Sequence, residues 1–438
     1  MPGIGALNKG GAATVTSVSC ASAGNCAAGG QYTDRLRHRQ AFVARETNGT
    51  WHAAIEIPGT GALNKGGNAD VTSVSCASAG NCLVGGFYRD RFRFKQAFVA
   101  SQRNGTWHKA IEVPGTAALN KRGDAWVHSL SCASAGNCVA GGDYRDGLRH
   151  RQAFVASERN GTWHKAIEVP GTATLNKGGS AEVDSVSCPS AGNCLVGGRY
   201  DAGGTQAFVA SERRGTWHKA IKVPGTGALN TGGAAAVDSV SCASAGNCTV
   251  GGSFTDSDRQ GQPFVASQTN GTWHAAIHLP GVNAIDGGVV QSLSCGSAGN
   301  CLAGGFYLDG AQQDHAFVAS QTNGTWQGAI EVPGTVTLDK GGIYGPAAET
   351  TSVSCASAGN CTAVGIYIDG QGHNQAFVAS QTNGTWQAAI ELPGTATLDT
   401  GGSAAVNSVS CAPAGTCAAG GSYQASHGHY QAFVASQA

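Results

Sequence analysis

Across the first copy of a repeated text, apolar and polar positions alternate, break and resume. Val15, Ser17 and Ser19 alternate with Thr16, Val18 and Cys20, the two-residue period of a strand, here strand A. Ala21-Ser22-Ala23-Gly24-Asn25 is turn text, and Cys26 opens strand B, which runs to Tyr32. A polar loop follows, then Ala41-Phe42-Val43-Ala44 as strand C. Asn48-Gly49 signals a hairpin because both residues accept positive φ. Trp51 begins strand D, which stops at Pro58-Gly59 because proline has no N–H to pair.

This text is written eight times with a period of about 56 residues, the mark of a repeat architecture. Eight C-x5-C pairs use all 16 cysteines: Cys20 with Cys26, Cys76 with Cys82, Cys132 with Cys138, Cys188 with Cys194, Cys242 with Cys248, Cys295 with Cys301, Cys355 with Cys361 and Cys411 with Cys417. Four short antiparallel strands per copy predict an all-β, eight-bladed β-propeller rather than a parallel β-helix. The copies fall at approximately 12–60, 68–116, 124–172, 180–226, 234–281, 287–335, 347–395 and 403–438, expected as one domain. Each cysteine pair brackets the A–B turn, so eight intrablade disulfides are expected as hairpin clips, each contributing about 2 kcal/mol by restricting the unfolded chain. The Trp strand occurs seven times, and the eighth copy stops at Phe433-Val434-Ala435. The last blade is therefore expected to have three strands.

VTSVSC, CAAGGQY and QAFVA resemble the strand A, B and C text of WD40-type blades. The S-x-x-N-G-T-W segments, as at Ser101 to Trp107, are similar to the Asp-box turn of sialidase-like propellers. There is no Gly-His or Trp-Asp dipeptide, and the Asp-box aspartate is missing. The resemblance implies a propeller and carries no sialidase activity.

Composition narrows the function. Lys plus Arg equals Asp plus Glu at 27 each, which argues against a nucleic-acid binder. No stretch is long and apolar enough to span a membrane. Sixteen paired cysteines suit an oxidising compartment, so a mature secreted chain is expected, its signal segment lying outside the sequence. No metal or cofactor is expected: C-x5-C lacks zinc spacing, and His52, His108, His164, His218 and His274 belong on the outer rim. A monomer is expected.

Variable loops over a rigid ring are where recognition is expected, and the B–C loops vary most. Tyr32, Tyr88, Tyr144, Tyr307 and Tyr367 recur beside Asp34, Asp90, Asp146, Asp309 and Asp369, with Asn64, Asn120 and Asn176 on the adjoining loops. Such sets suit a sugar: a ring stacks on its apolar face while carboxylate and amide take hydroxyls. The plainer alternative has the tyrosines packed and the aspartates stabilising turns. Arg37, Arg39, Arg91, Arg93, Arg149 and Arg151 occupy matching places in three consecutive copies and are expected to form an anion-attracting arc. The tryptophans are expected as wedges between blades. Near-identical copies favour a multivalent, lectin-like carbohydrate-binding module over an enzyme. The alternatives are a polysaccharide-acting enzyme at the central channel, using His128, Asp184 and Asp238, and a protein-interaction platform from a larger secreted protein.

Overall fold

The computed structural model describes residues 1–121, 123–282, 287–341, 345, 347–425 and 428–437. The fold is an all-β, eight-bladed propeller, as the repeats predict. The chain clusters into two compact units, one of Met1–Lys222 holding blades one to four and one of Val223–Gln437 holding blades five to eight. In blade one, strand A is Ala13–Ser22, B is Asn25–Thr33 and C is Arg39–Thr47. Strand D is interrupted: Thr50–Trp51 and Ile55–Glu56 both pair with C. The inner strands of the next six blades are Ala69–Ser78, Ala125–Ser134, Ala181–Ser190, Ala235–Ser244, Gly287–Ser297 and Glu349–Ser357. Blade eight has only Ala404–Cys411, Cys417–Gln424 and Tyr430–Ser436. Among the described residues no helix is long and apolar enough to cross a membrane.

The core lies between blades rather than within them. Val43 and Ile57 of blade one meet Val71, Val84 and Phe98 of blade two, with Trp107 packed against the group. The phenylalanine of each Phe-Val-Ala strand from Phe42 to Phe377 is fully buried. The Gly-Gly of strand B makes this close packing possible. A Cβ on Gly29 would stand 2.6 Å from Val71 of the next blade, and one on Gly30 would stand 2.0 Å from the Thr14 carbonyl oxygen. Opposite that pair, strand A carries a bulge between Val15 and Ser17.

All eight expected disulfides are formed, which fits an oxidising compartment. They join strands A and B of one blade as expected, and the second cysteine of a pair also packs in the junction between blades. Cys82 is buried with Val43 and Ile57 of the blade before it. Cys138 is buried with Val99 and Val113 in the next junction, and Cys194 with Val155 and Val169 in the one after. Cys26, Cys248, Cys301 and Cys361 are buried as well. The physical reason is the pleat: strand B turns this side chain toward the preceding blade, where a sulfur fills space as a small apolar group. Blade four departs in register too. Cys188 and Cys194 drop out of the ladder where Pro189 replaces the usual alanine and removes a donor, although their disulfide still forms.

The serines of strand A latch successive blades. Ser17 and Ser19 accept backbone N–H bonds from Val74 (3.0 Å) and Cys76 (2.9 Å), and Ser73 and Ser75 do the same for Leu130 and Cys132. The second unit repeats the latch, as from Leu293 and Cys295 to Ser239 and Ser241. After strand D the chain makes a helical turn where a plain loop was expected. In blade one it is Thr60–Leu63, headed by Gly59 at φ 87. Pro2 accepts from Ala54 N (2.9 Å) as Pro58 does from Ala110 N (2.7 Å), so the N-terminal segment meets blade one as each blade's exit meets the next.

Candidate functional site

The B–C loops and their neighbours are built from the residues expected to hold a sugar, but those residues are bonded to nearby Glu, Gln and backbone amides. Tyr32, Tyr88, Tyr144 and Tyr367 are buried, and the hydroxyls of Tyr32 and Tyr88 donate to Glu56 (3.1 Å) and Glu112 (3.3 Å). Burial, then the neighbouring Glu391 and Asp369, pushes the Tyr367 hydroxyl up to about 12. These rings offer no open stacking face, which corrects the expectation for them. Tyr307 is half-buried and stacks on His315, ring centres 5.1 Å apart.

The aspartates wrap their own turns. Asp34 Oδ1 accepts from Leu36 N (2.8 Å) and His38 N (2.9 Å), and Oδ2 accepts from Gln40 (3.0 Å). Partial burial raises the Asp34 carboxyl, but those bonds outweigh it and hold it below its usual range. Asp90, Asp146, Asp309 and Asp369 accept the same pair of turn amides. Asn64 donates to Gln40 (2.8 Å) and accepts from Asn68 N (2.8 Å). Asn120 and Asn176 donate to Gln96 and Gln152 in the same way. The set acts as a clamp between loops, because its aspartates, its asparagines and three of its tyrosines are bonded within the fold.

Of the arginine arc, Arg37, Arg39, Arg91, Arg93 and Arg149 are exposed. Arg151 is diverted into ion pairs with Asp143 (3.2 Å) and Glu182 (2.7 Å). Leu36, Phe92, Phe94 and Leu148 stand exposed among them. Ser426 and His427 of the eighth B–C loop lie outside the described residues.

His128, Asp184 and Asp238 occupy the bulge position that is Thr16 in blade one. His128 and Asp184 come together with Glu182 in the first unit, their ligand atoms within 4.8 Å of one another. All three groups are already engaged: Arg199 pairs with Glu182 and, at 3.8 Å, with Asp184, and His128 bonds Asp143 at 2.6 Å. Asp238 belongs to the second unit.

The cavities lie at the other end of the blades, between neighbours, where the A–B turn and the C–D hairpin of one blade face strands B and C of the one before. Four such clefts enclose about 590 Å³ (blades five and six), 480 Å³ (six and seven), 260 Å³ (two and three) and 10 Å³ (three and four). The buried cysteines reach their walls: Cys82 and Cys138 line the third cleft, Cys138 and Cys194 the smallest. Two positions explain the difference in size. Arg103 reaches Glu158 (3.3 Å) and the Gly161 carbonyl (3.0 Å) of the next blade. Arg159 reaches Glu212 (2.8 Å) and the Gly215 carbonyl. In the two larger clefts the same positions are Thr269 with Gln321, and Thr322 with Gln381, so no Arg–Glu ion pair straps the gap and only the glutamines reach across, to Ser267 and Ser320.

The exchange of Glu for Gln also reroutes a tryptophan. Glu212 only accepts, so Ser157 donates to it (3.3 Å) and accepts the Trp217 indole N–H (3.3 Å). Gln321 instead donates to Ser267 (3.1 Å) and to the Gly324 carbonyl (3.1 Å). Trp326, 9% exposed, is left with an indole N–H that has no partner, and Gln321, 4% exposed, with an unpartnered Oε1. Turning the amide over would press its oxygen against the Gly324 carbonyl, so the orientation is fixed. A buried polar atom without a partner costs about 1–3 kcal/mol. The sequence signal for all this was a pair of repeat columns that change together: Arg103 with Glu158 and Arg159 with Glu212, then Thr269 with Gln321 and Thr322 with Gln381, with Arg213 and Gln268 departing from the pattern.

No protein-family model matches the chain, and neither does any curated protein. Among solved structures it is similar to the β-propeller domain of the Trilobed protease from Pyrococcus furiosus, at 9% identity, covering 86% of this chain and 97% of that one with a TM-score of 0.46. The BP39L lectin from Burkholderia pseudomallei matches at 13% identity over 87% and 99% of the two chains, TM-score 0.45. The Hadza microbial sialidase Hz136 matches at 15% over 77% and 73%, TM-score 0.38. Likeness at such identities says nothing of ligand or activity.

Proposed function

We propose that the protein is a secreted, multivalent recognition module that binds carbohydrate in clefts between successive blades. The observation that supports this most is the recurrence of one cleft, lined each time by side-chain amides, disulfide cysteines and hairpin backbone. The two larger clefts add a tryptophan and threonine hydroxyls. Apolar walls with a few placed polar groups suit a sugar, which has C–H faces and hydroxyl edges. Hydrolysis of a glycosidic bond normally needs two flanking carboxylates. The two larger clefts have no Asp or Glu among their described lining residues, which favours binding over catalysis. Several weak sites on one chain raise avidity without new contacts. A glycan array followed by calorimetric titration tests the reading: binders on the array and more than one site per chain are expected. A blank array, or a single tight site, contradicts it.

A second reading rests on the exposed arginines of blades one to three. An anionic ligand there would lose affinity as salt rises, because screening shortens the reach of each charge. Binding of heparin that weakens between low and physiological salt, and is lost when Arg37, Arg91, Arg93 and Arg149 are replaced by Gln, is the expected outcome.

A further inference from the structure

We infer that the clefts between blades five and six and between blades six and seven are the working sites, that each takes one neutral, hydroxyl-bearing sugar ring, and that Arg–Glu straps narrow the clefts of blades two to four. The inference rests on the carbohydrate reading and deepens it. Three observations carry it.

The first is space. The unstrapped clefts enclose about 590 and 480 Å³, within the few hundred Å³ of ordinary small-molecule sites, whereas the strapped ones keep about 260 Å³ at Arg103 and about 10 Å³ at Arg159. The second is a pair of unsatisfied atoms. Trp326 and Gln321 both line the larger cleft, and each is more than nine-tenths buried. One offers a donor and the other an acceptor, and neither has a partner in the fold. Both atoms are covered in the sugar-free fold, and a sugar hydroxyl, both donor and acceptor, can answer either one once the side chains at the cleft wall turn. The third is charge. The described lining of both open clefts contains no Asp, Glu, Lys or Arg, and a charged ligand would be desolvated there without a counter-ion. His274 at the edge of the first cleft is exposed.

The strap is portable, which makes the inference testable in both directions. Thr269→Arg with Gln321→Glu rebuilds in blades five and six the pair that Arg159 and Glu212 form. Arg159→Thr with Glu212→Gln removes it from blades three and four. D-glucose, D-galactose, D-mannose and N-acetyl-D-glucosamine serve as probes at millimolar concentration. The readouts are the 15N-indole resonance of Trp326, assigned by its loss in Trp326→Phe, and the titration stoichiometry. In the unaltered protein at least one sugar is expected to shift that resonance, with about two sites per chain. The closing variant is expected to lose the shift and one site, and the opening variant to gain a site. Should the closing variant fold poorly, the opening variant carries the test alone. Array binding with an unchanged stoichiometry in both variants overturns the inference and leaves the carbohydrate reading standing. A blank array with a strap-sensitive Trp326 shift supports the cleft assignment while removing glycan recognition as the role. A Trp326 resonance indifferent to all four sugars overturns the inference.

Discussion

At the scale of residues, single side chains decide what the fold tolerates. Ser75 accepts the N–H of Cys132 at 3.0 Å across a blade junction. Ser75→Ala leaves that amide without its partner and should cost about 1–2 kcal/mol, read as a lower urea midpoint at unchanged slope. Asp70 gives a dependence on pH. Burial, opposed by Arg39, the Val71 amide and Lys95, pushes its carboxyl up to about 7, and its Oδ1 has no hydrogen-bond partner. Between about pH 4 and 7 the folded state then holds a proton that the unfolded chain has released, so this residue's contribution falls as pH rises through that window. Denaturation followed across it should show Asp70→Asn with a flatter profile than the parent and a gain at pH 8. Parallel profiles would contradict the assignment.

At the scale of elements, the Gly-Gly of strand B is the least replaceable text. A Cβ on Gly86 would stand 2.0 Å from the Asp70 carbonyl oxygen, a backbone atom that cannot turn aside. Gly86→Ala should destabilise by about 3 kcal/mol or more, whereas Gly5→Ala, whose Cβ would meet nothing within 4 Å, should be neutral. Thermal melts of the two variants make the comparison. Strand number, disulfide pairing and the short last blade were all legible in the sequence, because period-two alternation and C-x5-C spacing are local signals. The packing of Cys82, Cys138 and Cys194 against the preceding blade was not, since it joins residues about 40 apart in the chain, as Cys82 to Val43. The break in strand D and the helical turn at Thr60–Leu63 were hidden too, the first depending on how strand C is shared and the second on a buried threonine. The internal bonding of the candidate sugar residues was hidden for a related reason. Tyr32, Asp34 and Asn64 look like recognition residues in one copy, but Glu56 and Gln40 consume them in three dimensions. The strap needed residues of two copies read together, Arg159 in one and Glu212 in the next.

At the scale of the molecule, near-identical repeats have diverged into two kinds of cleft on one scaffold. The first unit narrows its clefts between blades two and four with ion pairs, and the second unit keeps two open with neutral side chains. Recognition by the open clefts is the central claim. The most direct measurement is a crystal structure of the protein soaked with the best monosaccharide from the array. The account predicts sugar density against Trp326 and Gln321 in the cleft between blades five and six, and in its neighbour between six and seven. Density on the B–C loops alone, or in the strapped clefts as readily as in the open ones, would contradict it.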